Sequence, residues 1–351
     1  MTGTMPADGK SAYDKKLSHF AKVICGADTI SICGHINPDG DCIGSMLALA
    51  SALRTLGKRV TPTLAQDKPA PRAYRFLEGF ESLTPAIKHK SVDDLCISVD
   101  VSNRERMGEG ASILSRAHAS IAIDHHPDTE VGADETLSDP TKASASMIVW
   151  DLAVLLLEKP PRATAQACYV GLMTDTGRFQ FQNADADAFS HAAAFVASGA
   201  DPAQAGTAVY QNKSMGLLKL EGLLIDRIVL SERGKVALSW FETSEMRTLG
   251  VASDETEALP ETIRSVEGTE VIILLRGDGQ HTRGNLRSKG TFDVSALAAH
   301  YGGGGHRAAS GMMISKPIDK SLAAIEKILP ALEADLLAGR TAPTFFEGDA
   351  D

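Results

Sequence analysis

Three short apolar runs constrain this chain most. Thr29–His35 (TISICGH), Leu95–Val101 (LCISVDV) and Ser120–Asp124 (SIAID) are rich in β-branched residues, too short for buried helices, and each stops at polar and turn residues. Helical patterns lie between them. From Asp41, Ile43, Met46, Leu47, Ala50 and Leu53 recur at helical spacing, and Gly57 suits the C-terminal cap. Another strand is expected near Arg59–Ala65, with helices at Ser144–Glu158 and Thr164–Leu172. Strands that are apolar without alternation are buried on both faces, and helices between them produce a largely parallel α/β sheet.

The pattern changes after Gly177. Asp185–Ser198 is alanine-rich and helical, SGADP (Ser198–Pro202) breaks it, and a further helical segment runs to about Asp226. Beyond it come strand signals at Lys235–Phe241, Val271–Arg276 and His281–Arg287, and helices at Val294–Tyr301 and Lys320–Leu337. This second half reads as a smaller α/β domain with a mixed sheet. At about 100–200 residues per domain, 351 residues fit two. The expected boundaries are 14–182 for the first domain, 183–222 for a helical linker, 223–340 for the second domain and 341–351 for a loosely ordered tail.

Forty-five acidic against 35 basic residues give a net charge of −10, unsuited to gripping long duplex nucleic acid through many phosphate contacts. The five cysteines, Cys25, Cys33, Cys42, Cys96 and Cys168, form no C-x-x-C pair and read as reduced thiols. The N-terminal MTGTMPADGK carries no apolar signal segment. The longest apolar stretch, Met147–Leu157, is interrupted by Asp151 and is too short to cross a bilayer. A soluble cytoplasmic protein with no membrane partner is expected. That apolar stretch reads as core before interface, and a homodimer is left open.

Four clusters carry chemistry, three of them directly where an apolar strand run ends, the place where parallel α/β sheets bind ligands. The first is Gly34-His35-Ile36-Asn37-Pro38-Asp39-Gly40-Asp41. Its structural alternative is Asp41 as a helix N-cap and His35 as a polar strand end. The second is Asp100 within SVDVS, which alone could simply terminate a strand. The third is Asp124-His125-His126, whose alternative is a loop histidine pair; here Asp124 could orient an imidazole from behind. The fourth is Thr174-Asp175-Thr176-Gly177, a helix end whose Asp could be a turn residue. Together they supply five carboxylates and three histidines in one half of the chain. Oxygen-rich ligands with a few imidazoles suit manganese or magnesium. Two such ions can share and activate a water for phosphoester hydrolysis.

These motifs resemble the DHH family of phosphoesterases. His35-x-Asn37-Pro38-Asp39-Gly40-Asp41 is similar to its first motif, Asp100 to its second, Asp124-His125-His126 to the one that names it, and Thr174-Asp175-Thr176-Gly177 to its fourth. Gly302-Gly303-Gly304-Gly305-His306, with Ala309 and Gly311, resembles the glycine-rich motif of the DHH-associated C-terminal domain. The resemblance spans roughly Asp14–Leu337. It implies an N-terminal parallel-sheet DHH domain, a C-terminal domain with a mixed sheet, and an active-site cleft between them. It implies two divalent cations, manganese before magnesium. His35 and Asp39 would bind one, Asp41, His125 and Asp175 the other, and Asp100 both. His126, Asp100 and Asp124 form the catalytic set: His126 meets the substrate phosphate and Asp124 acts behind the ligands. For the rest of the substrate, His306 and the Gly304 and Gly305 amides offer donors to an anion, with a flexible loop as the plain alternative. Arg283 and Arg287 alternate on one strand and would share a face, with a solvated face as the alternative.

The implied function is that of the nanoRNase branch: hydrolysis of single-stranded oligoribonucleotides of two to five nucleotides to mononucleotides by a two-metal activated hydroxide, with adenosine 3′,5′-bisphosphate as a further substrate. The partners expected are short RNA and small nucleotides, not duplex DNA. Rival readings are a linear or cyclic dinucleotide phosphodiesterase, an exopolyphosphatase, and an inert nucleotide-binding regulatory module, which the intact set of ligand-type residues opposes.

Overall fold

A computed structural model describes residues 11–345. The N-terminal 1–10, read as lacking a signal segment, and residues 346–351 of the expected tail lie outside them. The chain divides into two units, Met1–Asn212 and Lys213–Asp351.

The first unit runs α1 (Ala12–Gly26), β1 (Thr29–Cys33), α2 (Gly40–Thr55), β2 (Arg59–Leu64), β3 (Thr84–Pro85), β4 (Leu95–Val99), α3 (Gly110–Arg116), β5 (Ala119–Asp124), β6 (Glu135–Ser138), α4 (Ala145–Leu156), α5 (Arg162–Asp175), α6 (Ala186–Ala197) and α7 (Pro202–Tyr210). Its six strands pair in parallel in the order β3-β2-β1-β4-β5-β6, the doubly wound order, with its reversal between β1 and β4. Strand side chains alternate between two cores. Ile30, Ile32, Leu95, Ile97, Val99, Ile121 and Ile123 face α1, α2, α4 and α5, while Cys33, Cys96 and Ala122 face the short α3. In α4, Met147–Trp150, Leu152 and Ala153 are buried and only Val154 and Leu155 are well exposed, so the longest apolar stretch is mainly core.

The second unit runs α8 (Met215–Asp226), β7 (Val229–Leu230), β8 (Val236–Glu242), α9 (Thr243–Thr248), α10 (Leu259–Arg264), β9 (Val271–Gly277), β10 (Thr282–Ser288), α11 (Val294–His300), β11 (Gly304–His306), β12 (Ala309–Ile314) and α12 (Ile318–Leu337). The strand order is β11-β12-β10-β9-β8-β7, with β8 and β9 parallel and the other pairs antiparallel. Leu286, Met312 and Ile314 join α11 and α12 on one side; Ala237, Phe241, Ile272 and Leu274 join α8, α9 and α10 on the other. The segment read as a linker is folded: Ala188, Ala192, Phe195 and Ala205 of α6 and α7 enter the first core, and Leu217, Leu220 and Leu224 of α8 the second. No helix among the described residues is long and apolar enough to cross a membrane.

Candidate metal centre

The sequence-predicted ligands of the first unit come together at the carboxyl ends of β1, β4 and β5, beside the reversal of strand order. His35 lies two residues past β1, Asp100 directly after β4, and Asp124 ends β5 with His125 and His126 following. Asp39 and Asp41 flank the first residue of α2, and Asp175 is the last residue of α5. Asp100 and Asn37 adopt left-handed backbone, φ 55° and 51°. Asp and Asn tolerate this region best after glycine, and its strain is characteristic of functional sites.

The donor atoms sit further apart than hydrogen bonds and closer than strangers. His35 Nε2 is 3.7 Å from Asp39 Oδ1 and 3.5 Å from Asp100 Oδ2. His125 Nε2 is 3.6 Å from Asp100 Oδ1 and 3.4 Å from Asp175 Oδ2. One Asp100 oxygen thus faces each imidazole. His35 Nδ1 lies 2.8 Å from its neighbour's carbonyl, Ile36 O, which assigns it the proton and turns the Nε2 lone pair to the carboxylates. Arg106 Nη2 lies 3.3 Å from that same Nδ1, but with both nitrogens carrying protons this approach is not a hydrogen bond.

Asp124 works differently. It is fully buried, and each oxygen is already taken: Oδ1 accepts from His126 Nδ1 at 2.7 Å and the His125 amide at 2.8 Å, and Oδ2 accepts from Thr129 Oγ1 at 2.7 Å. His126 Nδ1 is therefore committed to Asp124, and any contact with substrate runs through Nε2. Thr129 was not legible as part of this group; its hydroxyl five residues on is an ordinary loop feature in the sequence.

Two helix termini hold the acidic residues. Asp39, not Asp41, caps α2: its Oδ1 accepts from the amides of Asp41 (3.1 Å) and Cys42 (3.0 Å). Asp41 instead serves a distant helix. Ser144 at the start of α4 makes no side-chain cap, and Asp41 Oδ2 and Oδ1 accept from Ala145 N (2.6 Å) and Ser146 N (3.0 Å) in its place. Glycines bring α2 and α5 together. A Cβ on Gly44 would lie 2.5 Å from Ala167 O, and one on Gly171 would lie 2.6 Å from Asp41 Oδ1. The contact sets the distance between the helices that carry Asp41 and Asp175.

Charge here is unbalanced. Burial, then Asp41, push the Asp100 carboxyl well above the usual range; burial, then Asp41 and Asp39, do the same to Asp175; burial raises Asp41. Burial opposes charge on His35 and His125 but is outweighed, by the Cys42 sulfur and then Asp100 and Asp39 for His35 and by Asp100 and Asp41 for His125, and both rings are raised. Protons stand in for missing positive charge. Among the described residues, His35, Cys42 and Asp100 form one group of mutually close donors, Asp41, His125 and Asp175 another, and Asp100 with Asp124, His125 and His126 a third. Donor spacings of 3.4–3.7 Å are what an ion at roughly 2.1–2.2 Å from each would span. The donors are mostly oxygen with two imidazoles, and the Cys42 thiol is pushed up to about 12 by burial. The residues fit hard or borderline divalent cations.

In the second unit, β10 alternates as expected: Thr282, Gly284, Leu286 and Ser288 are buried, Arg283 and Asn285 exposed, Arg287 half-buried. The three share one face. Arg276 of β9, which the sequence reading passed over, pairs with Arg283, and Met313, Gly311 and Ala309 of β12 pair with Arg283, Asn285 and Arg287. The glycine run is an edge strand, not the flexible loop that was its plain alternative. Gly304, Gly305 and His306 form the exposed edge strand β11, paired with Gly311, Ser310 and Ala309. A Cβ on Gly303 would be 2.0 Å from Gly311 O, and one on Gly305 2.8 Å from Ala309 O, so these glycines admit close strand approach.

Family models agree with this architecture. The DHH family, N-terminal domain, matches residues 29–172, and the DHHA1 domain matches residues 235–336. The chain belongs to the DHH family of phosphoesterases. A Thermus thermophilus protein named bifunctional oligoribonuclease and PAP phosphatase NrnA is 28% identical, over 96% of this chain and 98% of its own. The structure of an exopolyphosphatase-related protein from Bacteroides fragilis superposes with a TM-score of 0.84 at 24% identity, covering 93% of this chain and 97% of that one. A structure of the exonuclease RecJ bound to manganese shares the fold at 15% identity, with a TM-score of 0.52 over 94% of this chain and 96% of that one.

Proposed function

We propose that this chain is a divalent-cation-dependent phosphodiesterase that hydrolyses short oligoribonucleotides to mononucleotides and also removes the 3′-phosphate of adenosine 3′,5′-bisphosphate. The observation that carries the reading is the convergence of five ligand-type side chains, His35, Asp39, Asp41, His125 and Asp175, around Asp100, with every one of the six except Asp39 displaced toward holding its proton. The name of the Thermus thermophilus relative, matched across nearly its whole length, supports the substrate class.

His35, Asp39 and Asp100 would hold one cation, and Asp41, His125, Asp175 and Asp100 a second, with manganese favoured and magnesium the alternative. When bound, the pair supplies Lewis acidity and an activated water for in-line attack on phosphorus. His126, held through Nδ1 by Asp124, binds a phosphate oxygen through Nε2 and donates to the leaving oxygen. Arg283, Arg287 and His306, with the Gly304 and Gly305 amides, contact the remaining phosphates and sugars of the substrate. A chain of net charge −10 suits a substrate with few phosphates to neutralise.

The test is incubation of the purified protein with manganese and a labelled RNA ladder, with adenosine 3′,5′-bisphosphate in a parallel tube. Rapid loss of the shortest oligomers and slow loss of long ones is expected. Chelator should stop turnover, and manganese should restore it better than zinc. Full activity in chelator, or preference for long RNA, would sink the reading. Inert RNA with hydrolysis of cyclic dinucleotide or polyphosphate would reassign the substrate and leave the centre in place.

A further inference from the structure

Asp41, His125 and Asp175 come from three separate elements, yet all three bear on one stretch of backbone before and at the start of α4, residues 142–146. The Lys142 backbone lies close enough to the His125 ring to favour its charged form. Ala145 N and Ser146 N donate to the two oxygens of Asp41 at 2.6 and 3.0 Å. Asn183 closes the set: its Nδ2 donates to Ala143 O and to Asp175 O, both at 3.2 Å.

The stretch is itself tied down away from the centre. Lys142 N bonds Asp139 O at 3.0 Å. The Lys142 ammonium reaches Asp187 Oδ2 of α6 at 2.8 Å and Asp151 Oδ2 of α4 at 3.5 Å. Asp151 in turn accepts from Tyr13 of α1 at 2.7 Å and pairs with His191 of α6 at 3.0 Å. Burial opposes charge on Lys142, and Asp187 and Asp151 restore it. One lysine therefore joins α4 and α6 through its side chain, and it begins the stretch of backbone that bonds Asp41 and Asn183.

We propose that Lys142 and Asn183 are positioning residues that set the Asp41–His125–Asp175 cation position, acting through the 142–146 backbone and touching neither cation nor substrate. The inference rests on the reading that this trio holds a cation. Ligand atoms must be held within about 0.5 Å for productive binding, and losing an outer partner typically costs about 10–100-fold in metal affinity. His35 and Asp39, on the other side of Asp100, are held by Ile36 O and by the amides of Asp41 and Cys42 and make no hydrogen bond to this stretch among the described residues, so the two cation positions should respond unequally.

The experiment is a manganese titration of the full chain followed by the electron paramagnetic resonance signal of free Mn²⁺, on the wild type and on Asn183→Leu, Lys142→Met and Lys142→Arg. The wild type should bind two equivalents. Asn183→Leu and Lys142→Met should weaken one equivalent by about 10–100-fold and leave the other unchanged. Lys142→Arg should recover most of the loss, because a guanidinium reaches both carboxylates. Melting of each metal-free variant controls for folding. Equal weakening of both equivalents, no weakening in either variant, or no recovery with arginine would overturn the proposal. A wild type that binds fewer than two equivalents would instead fail the functional reading, before any variant is compared.

Discussion

Asp124→Asn separates the two roles open to this carboxylate, cation ligand and positioner of His126. All three hydrogen bonds to Asp124 come from donors, His126 Nδ1, His125 N and Thr129 Oγ1. An asparagine can keep its oxygen at the Oδ1 position and so retain the two bonds from His125 and His126. Its amide then faces Thr129, whose hydroxyl can rotate to accept and to donate to His126 O, already 3.2 Å away. Every buried group finds a partner, so the folding cost should stay under about 1 kcal/mol. What is lost is charge. A hydrogen bond to an ionised acceptor contributes roughly 1.5–3 kcal/mol against about 1 for a neutral one, a difference near 1.4 kcal/mol, or tenfold in rate. Asp124→Asn should thus lower kcat about tenfold, with bound manganese and melting temperature nearly unchanged. Asp124→Ala takes the acceptor from His126 Nδ1 and the His125 amide, about 1–3 kcal/mol each, while Thr129 can turn to His126 O, and should both destabilise the protein and cut kcat about 100-fold or more. The assay is hydrolysis of a short oligoribonucleotide at saturating substrate, with manganese counted in the same samples. Loss of a manganese equivalent in Asp124→Asn would make Asp124 a ligand. Wild-type turnover in Asp124→Asn would show that His126 does not act through it.

Gly44→Ala should cost about 1–3 kcal/mol by overpacking and lower manganese affinity, because its Cβ would meet Ala167 O at 2.5 Å and part α2 from α5; an unchanged melting point and affinity would refute the close-contact argument. The double variant Arg287→Ala/His306→Ala should raise KM by about 10–100-fold while manganese binding holds, since lost charge-assisted phosphate bonds are worth about 1.5–3 kcal/mol; falling metal content would mark the pair as structural. In chelator, stability should fall as pH rises. The Asp41, Asp100 and Asp175 carboxyls and the His35 and His125 rings all have folded values above their unfolded ones, so the folded state is favoured by protonation, and that advantage is lost as pH climbs from about 4 through the raised values. Melting curves across pH should show this decline, and manganese should remove it; a rise of stability with pH in chelator would contradict the charge assignment.

The sheet and the clustering of the ligand-type residues were legible because both are written locally. β1, β4 and β5 are continuous apolar runs, and each chemical motif sits within a few residues of a strand or helix end. Helix α1 was equally legible and was passed over: Ser11 and Asp14 form a capping box before it. What was not legible is long-range. Asp41 caps a helix whose amides lie 104 and 105 residues away, and nothing near Asp41 announces it. That the glycine run forms an edge strand was not legible, because its geometry is set by Gly311 and Ala309 across the strand pair, where a loop and an edge strand have the same local composition. The segment 183–222 read as a helical linker from its alanine-rich run and the SGADP break; which unit each of its helices joins is decided by a few buried side chains whose partners lie elsewhere in the chain.

The doubly wound order explains why the ligands had to come from separate motifs. A parallel strand can offer only the residues at its carboxyl end to a site, one or two at a time, since the next residue turns back into a helix. Six ligand-type side chains therefore require several chain segments, and here β1 with the start of α2, β4, β5 and the end of α5 supply them. Bringing that many carboxylates together destabilises the empty site. The protein offsets this in two ways that do not compete with cation binding. Backbone amides at the starts of α2 and α4 neutralise Asp39 and Asp41 from behind, leaving their remaining lone pairs for a metal. The Asp100 carboxylate has no such amide support among the described residues: its partners are three imidazole nitrogens at 3.5, 3.6 and 3.8 Å. The buried carboxylate that lacks amide support is the one placed between both sets of donors, which is where added positive charge gains most.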